Sequence, residues 1–223
     1  CARVNGETVV DLAGGLADTA TRTPWERDTM GIIFSATKGV VAACFLMLVE
    51  RGQADLDAPV ATYWPEFGCA GKEAITLRQI LNHRAGLCAI DAPLTIEDFT
   101  TRPEVVQRAL AEQAPCWPPG EGQGYHGFTY GPYASEIFRR LEGRTLGRFI
   151  AEEIAGPLSA DVYLGLPESL DDRVATIYTQ TFLQRVLKSL PRVLFKNSVE
   201  RRILKAFIRR RSYTARAFAN PAE

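Results

Sequence analysis

One segment near the start of the chain is far more apolar than its surroundings. Residues 41–49 are nine mostly apolar residues, and they are followed by Glu50-Arg51-Gly52, charged residues and a glycine that commonly end a helix. The pattern predicts a buried helix that begins near Ser35 and ends near Arg51-Gly52. We expect the rest of the chain to pack around this helix.

Shorter patterns predict the elements on either side. Residues 2–4 and 8–12 are strand-like and flank Asn5-Gly6, a strong two-residue turn signal, so residues 1–16 are predicted to form a β-hairpin. A Pro/Gly-rich loop at 118–124 comes later and leads into a helix. Apolar residues at helical spacing predict three later helices, over residues 75–83, 97–112 and 133–142.

Composition places the chain in the soluble globular class. It has 223 residues, 46% of them apolar, and equal numbers of basic and acidic residues, 26 each. This balance excludes the disordered and the nucleic-acid-binding classes, and the length is enough for a single domain with a real core. No apolar run approaches the length of a membrane span.

Cysteine and histidine usage bears on compartment and cofactors. The five cysteines are an odd number without metal-ligand spacing, so we interpret them as reduced thiols in a reducing, cytoplasmic compartment. With only two histidines a zinc site is not expected, and no metal or other cofactor is predicted. The chain opens at Cys1 instead of Met, so we expect the natural N-terminus to lie upstream.

Ser35 and Lys38 stand three residues apart at the start of the predicted helix, one turn from each other on the same face. A serine hydroxyl needs a neighbouring base to act as a nucleophile, and burial with nearby positive charge lowers the pKa of a lysine. The helix N-terminus adds such charge, and its free N–H groups can face an oxyanion. The alternative is a helix cap followed by a solvated lysine, which is not expected one turn before nine mostly apolar residues.

Three residues are candidates for a second acid or base. Tyr125 is presented by the Pro/Gly loop at the head of a helix and is a candidate proton carrier beside the serine–lysine pair. The alternative for Tyr125 is a packed aromatic side chain at a loop end. His126 is its rival for the same role. His83 is a weaker candidate, because a histidine at a helix end usually pairs with backbone carbonyls.

Several short stretches within residues 1–165 form an ordered set of landmarks: Ser35-Ala36-Thr37-Lys38, residues 55–60 (DLDAPV), residues 76–87 (TLRQILNHRAGL), Pro118-Pro119-Gly120, Tyr125-His126-Gly127, and residues 143–147 (GRTLG) before Pro157-Leu158. Taken in order, these landmarks resemble the serine β-lactamase-related family, which includes class C β-lactamases, DD-peptidases and the esterases often called family VIII. The resemblance implies a mixed α/β (α+β) fold, with a mainly antiparallel sheet flanked by helices and a helical subdomain. It also implies that Ser35 is the acylated nucleophile and that Lys38 and Tyr125 share the proton transfer.

Two features depart from the family pattern. The second motif is Tyr-x-Asn in β-lactamases, where the asparagine meets the acyl amide of the substrate, and Gly127 occupies that place here. The missing amide contact favours an ester over a β-lactam, and His126 and Gly127 are expected to border the substrate pocket. The third motif, a Lys-Thr-Gly or His-x-Gly type strand, is not found after Tyr125. We therefore expect either a fragment of a longer hydrolase or a degenerate one.

Residues 185–211 differ in charge from the rest of the chain. They hold ten Lys/Arg and one acidic residue, Glu200, with apolar residues at helical spacing. A basic amphipathic segment of this kind can form a peripheral contact with an anionic membrane. We prefer the alternative that it is an insertion or lid over the same domain, because its charge complements the net acidic remainder.

The leading hypothesis is a serine hydrolase that cleaves carboxylic esters through an acyl-enzyme on Ser35. Its partner would be a small-molecule ester or amide and no nucleic acid, and no oligomeric state is predicted. The alternatives are a β-lactamase, DD-peptidase or acyl transferase, or, from another class, a catalytically inactive binding or membrane-associated module. We expect residues 1–54 to supply the hairpin and nucleophile helix, and residues 55–160 most of the helical region, of one domain that is incomplete at its C-terminal end.

Overall fold

The computed structural model describes residues 1–178, 199–209 and 212–218. Its first two strands, β1 (Ala2–Val4) and β2 (Glu7–Val10), pair antiparallel. Asn5 and Gly6 connect them with φ angles of 50° and 86°, the left-handed backbone that this type of two-residue hairpin turn requires. The predicted N-terminal hairpin is therefore confirmed.

A second antiparallel pair follows, β3 (Leu16–Asp18) with β4 (Thr23–Pro24). Among the described residues the two hairpins form separate two-stranded sheets. A later segment returns to this end of the molecule, where Val174 forms a parallel bridge with Met30. The strands are few and short and helices dominate the remainder, which agrees with the predicted α+β class.

Helix α1 (Thr37–Glu50) is the helix predicted from the apolar segment, and it ends as predicted, with Gly52 just beyond it at a φ of 70°. A 3₁₀ turn, Phe34–Ala36, precedes it, so Ser35 lies in that turn and not in the α-helix itself. One side of α1 contributes four side chains to the main hydrophobic core: Val41, Cys44, Phe45 and Leu48.

The described residues contain eight further α-helices, several of them only one or two turns long. In chain order they are α2 (Leu77–Leu81), α3 (Ile96–Thr101), α4 (Pro103–Glu112), α5 (Tyr130–Glu142), α6 (Leu146–Ile150), α7 (Gly156–Leu158), α8 (Val199–Ile208) and α9 (Tyr213–Ala217). A π-helical stretch, Ala151–Ala155, joins α6 to α7. Further 3₁₀ turns span Val60–Thr62, Pro65–Phe67 and Glu168–Arg173.

The helix predicted over 97–112 is divided into α3 and α4, so the prediction of a single helix is wrong. Pro103 has no N–H to donate and its ring opposes a preceding helical turn, so it begins a new helix as its first residue. The helix predicted over 75–83 is confirmed but shorter. It begins at a capping box, in which the side chains of Thr76 and Gln79 each accept a hydrogen bond from the backbone N–H of the other.

Helix α1 packs against α5 and α6, and aromatic rings fill the contact. Phe45 on α1 meets Phe138 on α5 edge-on, with ring centroids 5.2 Å apart, and Phe138 meets Phe149 on α6 at 5.0 Å. Such edge-to-face pairs contribute about 0.5–1.5 kcal/mol each beyond the burial of their area. The helix that follows Ser35 is therefore braced by the helical region.

The basic segment 185–211 is described only over residues 199–209, which form α8 and the residue after it. The lid and membrane hypotheses therefore lie largely outside the described residues. Helix α9, which follows, is attached to the body by an ion pair, since Arg216 Nη2 lies 2.7 Å from each carboxylate oxygen of Asp91. None of the described helices is both long and apolar enough to cross a membrane.

Candidate active site

Ser35 stands at the exposed start of α1, in the 3₁₀ turn. Phe34 directly before it has a φ of 46°, in the left-handed region that a bulky residue rarely adopts, and its side chain is 69% exposed. The first turn of a helix offers N–H groups without a partner one turn earlier, and these suit a negatively charged oxygen. The serine is thus presented on a strained turn beside a region of positive potential.

Lys38 lies one turn beyond Ser35 and points toward it. Its Nζ donates to Ser35 Oγ at 3.3 Å and to the carbonyl oxygen of Gly127 at 3.2 Å. Nζ also lies 5.1 Å from the ring centroid of Tyr125 and 5.6 Å from that of Tyr130, which is within cation–π range. Half-buried among these groups, Lys38 differs from the solvated lysine of the alternative interpretation.

Tyr125 joins this pair from 90 residues away along the chain, and its Oη donates a hydrogen bond to Ser35 Oγ. That bond, reinforced by Lys38, lowers the pKa of Tyr125 below its ordinary value of 10, although partial burial opposes the change. A phenol with a lowered pKa ionises more readily, and its phenolate is suited to accept the proton of a neighbouring serine hydroxyl. The structure therefore brings Ser35, Lys38 and Tyr125 together in one cluster.

His126 lies behind Tyr125 and is only 1% exposed. Its Nε2 accepts from the N–H of Leu87 at 2.9 Å, which places the proton on Nδ1, 2.6 Å from the carbonyl oxygen of Gly124. Burial lowers the pKa of His126 to about 4, so the ring is neutral at pH 7. The side chain holds the loop in place, and it does not reach the border of the pocket where it was expected.

His83 packs between three rings, those of Tyr125, His126 and Tyr130, with ring centroids 5.1–5.4 Å away. Its Nδ1 accepts from the backbone N–H of His126 at 3.2 Å, and burial lowers its pKa. No hydrogen bond in the described part of the chain joins His83 to Ser35. His83 therefore supports the back of Tyr125 and is not placed to act as the base for the serine.

The loop before Tyr125 closes over Trp117. A Cβ on Gly124 would overlap the indole ring, and a Cβ on Gly122 would lie 3.3 Å from its Nε1. The N–H of Gly124 donates to the carbonyl oxygen of His83 at 3.1 Å. Glycine at these two positions lets the backbone lie against the indole and carry Tyr125 to the serine. The sequence indicated the Pro/Gly loop but not that Trp117 is the surface beneath it.

Gly127 lies between Tyr125 and an aromatic side chain from the far end of the chain. A Cβ at Gly127 would lie 3.5 Å from Cε1 of Tyr125 and 3.6 Å from Cζ of Phe218. Phe218, in the turn after α9, therefore faces the place where the family pattern has an amide side chain. Sequence reasoning missed Phe218, because it is one of two aromatic residues beyond the basic segment and no local pattern separates it from Tyr213.

The cluster of Ser35, Lys38 and Tyr125 has the parts that acyl transfer needs. Among the described residues, no three His, Cys, Asp or Glu side chains are grouped as metal ligands would be. The cluster combines a hydroxyl nucleophile, two groups that can exchange its proton, and a helix start whose N–H groups suit an oxyanion. It is arranged for nucleophilic attack on a carbonyl carbon.

Comparison with known proteins finds relatives for most of the chain. The family described as Beta-lactamase matches residues 1–195. Esterase/beta-lactamase LipL of Mycobacterium tuberculosis (strain ATCC 25618 / H37Rv) is 38% identical over 176 residues, which are 78% of this chain and 40% of that protein. Esterase EstB of Burkholderia gladioli is 38% identical over 87 residues, which are 37% of this chain and 22% of that protein.

Two solved structures are similar in fold and sequence. A penicillin-binding protein homolog from Caulobacter crescentus has a TM-score of 0.70 and 42% identity, over 75% of this chain and 45% of its own. A family VIII carboxylesterase has a TM-score of 0.70 and 40% identity, over 74% of this chain and 46% of its own. The chain thus spans less than half the length of each of these relatives.

Proposed function

Since this chain belongs to the Beta-lactamase family, we propose that it cleaves carboxylic esters through an acyl-enzyme formed on Ser35. The observation that carries the proposal is the contact made at the serine. Tyr125 Oη is hydrogen-bonded to Ser35 Oγ, and Lys38 Nζ lies 3.3 Å from the same atom. The relatives LipL and EstB are both named as esterases, which supports the same proposal.

In the acylation step, Ser35 passes its proton to the phenolate form of Tyr125 as its Oγ attacks the ester carbonyl carbon, and Lys38, which lowers the pKa of Tyr125, stabilises that phenolate. The N–H of Ser35, in the turn directly before α1, helps to stabilise the oxyanion that forms. The proton then passes to the departing alkoxide, which leaves as the alcohol, and the acyl group stays on Ser35. Water then attacks the acyl carbonyl carbon and gives a proton to the Tyr125 phenolate, and that proton passes to Ser35 Oγ as the acyl–oxygen bond breaks and the carboxylic acid is released.

We propose esters instead of β-lactams because position 127 offers nothing to bind an acyl amide. Gly127 has no side chain, its carbonyl oxygen accepts from Lys38, and Phe218 lies 3.6 Å from the place of a Cβ. An amide left unpaired against an apolar wall costs about 1–3 kcal/mol, which corresponds to about 5- to 150-fold in rate. Short-chain aryl esters should therefore be turned over far better than penicillins or cephalosporins.

The test is replacement of the nucleophile. Ser35→Ala should lower kcat/KM for p-nitrophenyl acetate by about 10⁴-fold or more, as removal of a nucleophile does in other serine hydrolases. Ser135→Ala removes an exposed serine on α5 and is the matched control, which should leave the rate unchanged. Intact mass spectrometry after exposure to activated aryl esters, a penicillin and a cephalosporin should show one acyl adduct that Ser35→Ala abolishes.

Each contrary result identifies a different error. An adduct on another residue, or activity retained by Ser35→Ala, would overturn the assignment of the nucleophile. A cephalosporin kcat/KM equal to that of the aryl ester would favour a β-lactamase. A folded protein with neither turnover nor adduct would favour the catalytically inactive binding module.

A further inference from the structure

A cavity of about 740 Å³ opens beside Tyr125. Its lining comes from three parts of the chain: Cys88, the loop from Trp117 to Tyr125, and the C-terminal helices through Phe207 and Phe218. None of the described residues that line it carries a charged side chain. A cavity of this size with few polar groups suits an uncharged organic group, and a charged group would lose its hydration there without a partner.

Phe207 and Phe218 form an aromatic part of the cavity wall, and Phe218 also lies close to Gly127. Phe218 meets Phe128 edge-on with ring centroids 5.2 Å apart, and it meets Phe207 at 5.3 Å. The side chains of the three phenylalanines are 45–52% exposed. Large apolar side chains that stay half-exposed in one contiguous patch mark a surface that another apolar group covers. Edge-to-face packing against such rings favours an aromatic group over a flexible alkyl chain.

Phe218 is held at the site by contacts that α9 makes with the body. Arg216 Nη2 lies 2.7 Å from both carboxylate oxygens of Asp91. Tyr213 Oη donates to the carbonyl oxygen of Cys116 at 2.8 Å. One of these contacts is made by the first residue of α9 and the other by a residue near its end. Together they position the ring of Phe218 without any bound ligand.

The same geometry decides which half of an ester the wall meets. Ser35 lies on an exposed turn, which gives the departing alcohol and the incoming water an open path. Tyr125 both lines the cavity and is hydrogen-bonded to Ser35, so it joins the cavity to the serine. The group that stays bound to Ser35 through both chemical steps is the acyl group. The acyl group is therefore the part that gains from a fixed wall.

We propose that Phe218 is a specificity-determining residue, and that its ring forms the wall of a pocket for a neutral aromatic acyl group. This inference rests on the proposed esterase function and adds the substrate class to it. The wall contacts substrate and takes no part in proton transfer. Its removal should therefore change the choice among acyl groups, which the ratio of kcat/KM between two esters measures.

The test compares esters that share a leaving group. The unaltered protein should show a higher kcat/KM for p-nitrophenyl phenylacetate than for p-nitrophenyl acetate. Phe218→Ala should lower that ratio about tenfold or more, the range expected for loss of one apolar contact region in a pocket. Phe218→Leu keeps apolar volume without the ring and should give an intermediate ratio. Leu158→Ala truncates an exposed apolar side chain on α7 and is the matched control.

The outcomes separate this inference from the function on which it rests. An unchanged ratio in Phe218→Ala and Phe218→Leu, with normal turnover of the acetate, overturns the inference alone. If Phe218→Ala changes only the ratio of kcat/KM between benzyl acetate and ethyl acetate, the pocket holds the alcohol group, and the inference is again overturned. Absence of ester turnover in the unaltered protein overturns the proposed function and the inference together.

Discussion

Acidification should destabilise this protein through one buried imidazole. His126 is neutral in the folded state, because its Nε2 accepts from the N–H of Leu87 at 2.9 Å and burial lowers its pKa from 6.5 to about 4. In the unfolded chain the ring is in water and has its ordinary pKa of 6.5. At any pH between these two values, unfolding therefore takes up a proton.

The sign and size of the effect follow from this difference in pKa. Because the unfolded chain binds more protons between pH 4 and 6.5, the free energy of unfolding is highest above pH 6.5 and falls as the pH drops toward 4. A difference of about 2.5 pH units corresponds to about 3 kcal/mol over the whole window, and to about 2 kcal/mol between pH 7 and pH 5. That is a large part of the 5–15 kcal/mol that stabilises a typical domain.

Urea denaturation at pH 7 and pH 5, followed by circular dichroism, measures the effect. His126→Gln should be less stable at pH 7, because it loses the bonds to Leu87 and Gly124, but its free energy of unfolding should change much less between the two pH values. Carboxylates contribute equally to both proteins and cancel in the comparison. His83→Gln is the control. Burial lowers the pKa of His83 too, so this variant measures separately how much His83 contributes to the pH dependence of stability. Equal pH dependence in the wild type and His126→Gln would refute the reasoning.

Three further predictions concern the site, the thiols and the basic segment. The kcat/KM for p-nitrophenyl acetate should rise with pH, with a midpoint below pH 10, because the pKa of Tyr125 is lowered. Tyr125→Phe should abolish this rise, and the control variant Tyr63→Phe should keep it. An unaltered rise in Tyr125→Phe would place the base elsewhere. The Sγ atoms of Cys88 and Cys116 lie 3.9 Å apart, and the hydrogen bond from the Cys88 thiol lowers the pKa of Cys116 to about 7. Peptide mapping should therefore show that iodoacetamide at pH 7.5 alkylates Cys116 before Cys88, whose pKa is raised. The reverse order would contradict this prediction. The lid hypothesis for residues 185–211 predicts no co-sedimentation with anionic vesicles at physiological salt; salt-sensitive binding that is lost when the segment is deleted would favour a peripheral membrane role.

The features that could be predicted from the sequence are those set by neighbouring residues. Asn5-Gly6 specifies its own turn, since both residues tolerate a positive φ. The three-residue spacing of Ser35 and Lys38 fixes their proximity wherever a helix forms. The Pro/Gly loop made Tyr125 a candidate, but only the family resemblance favoured it over a packed aromatic residue, because its contact with Ser35 spans 90 residues.

The features that could not be predicted depend on distant partners or on competition between signals. The helical periodicity over 97–112 predicts one helix, but Pro103 lacks the N–H that would continue the first helix, so a second helix begins there. His126 is adjacent to the site tyrosine in sequence, but the Leu87 N–H turns it into a structural residue. Phe218 lies at the site because Arg216 pairs with the carboxylate of Asp91, 125 residues earlier in the chain. No local sequence pattern reveals that pairing.

The hydrogen bond between Tyr125 and Ser35 also has a consequence for the order of folding. Contacts that close long loops form late, because the chain entropy lost on closure must be matched by many other contacts. In a refolding time course we expect the helical signal to return first, ester hydrolysis after it, and discrimination between acyl groups last. A chain still being synthesised carries Ser35 and Lys38 long before Tyr125 emerges, so its serine stays unreactive until the tertiary fold has formed.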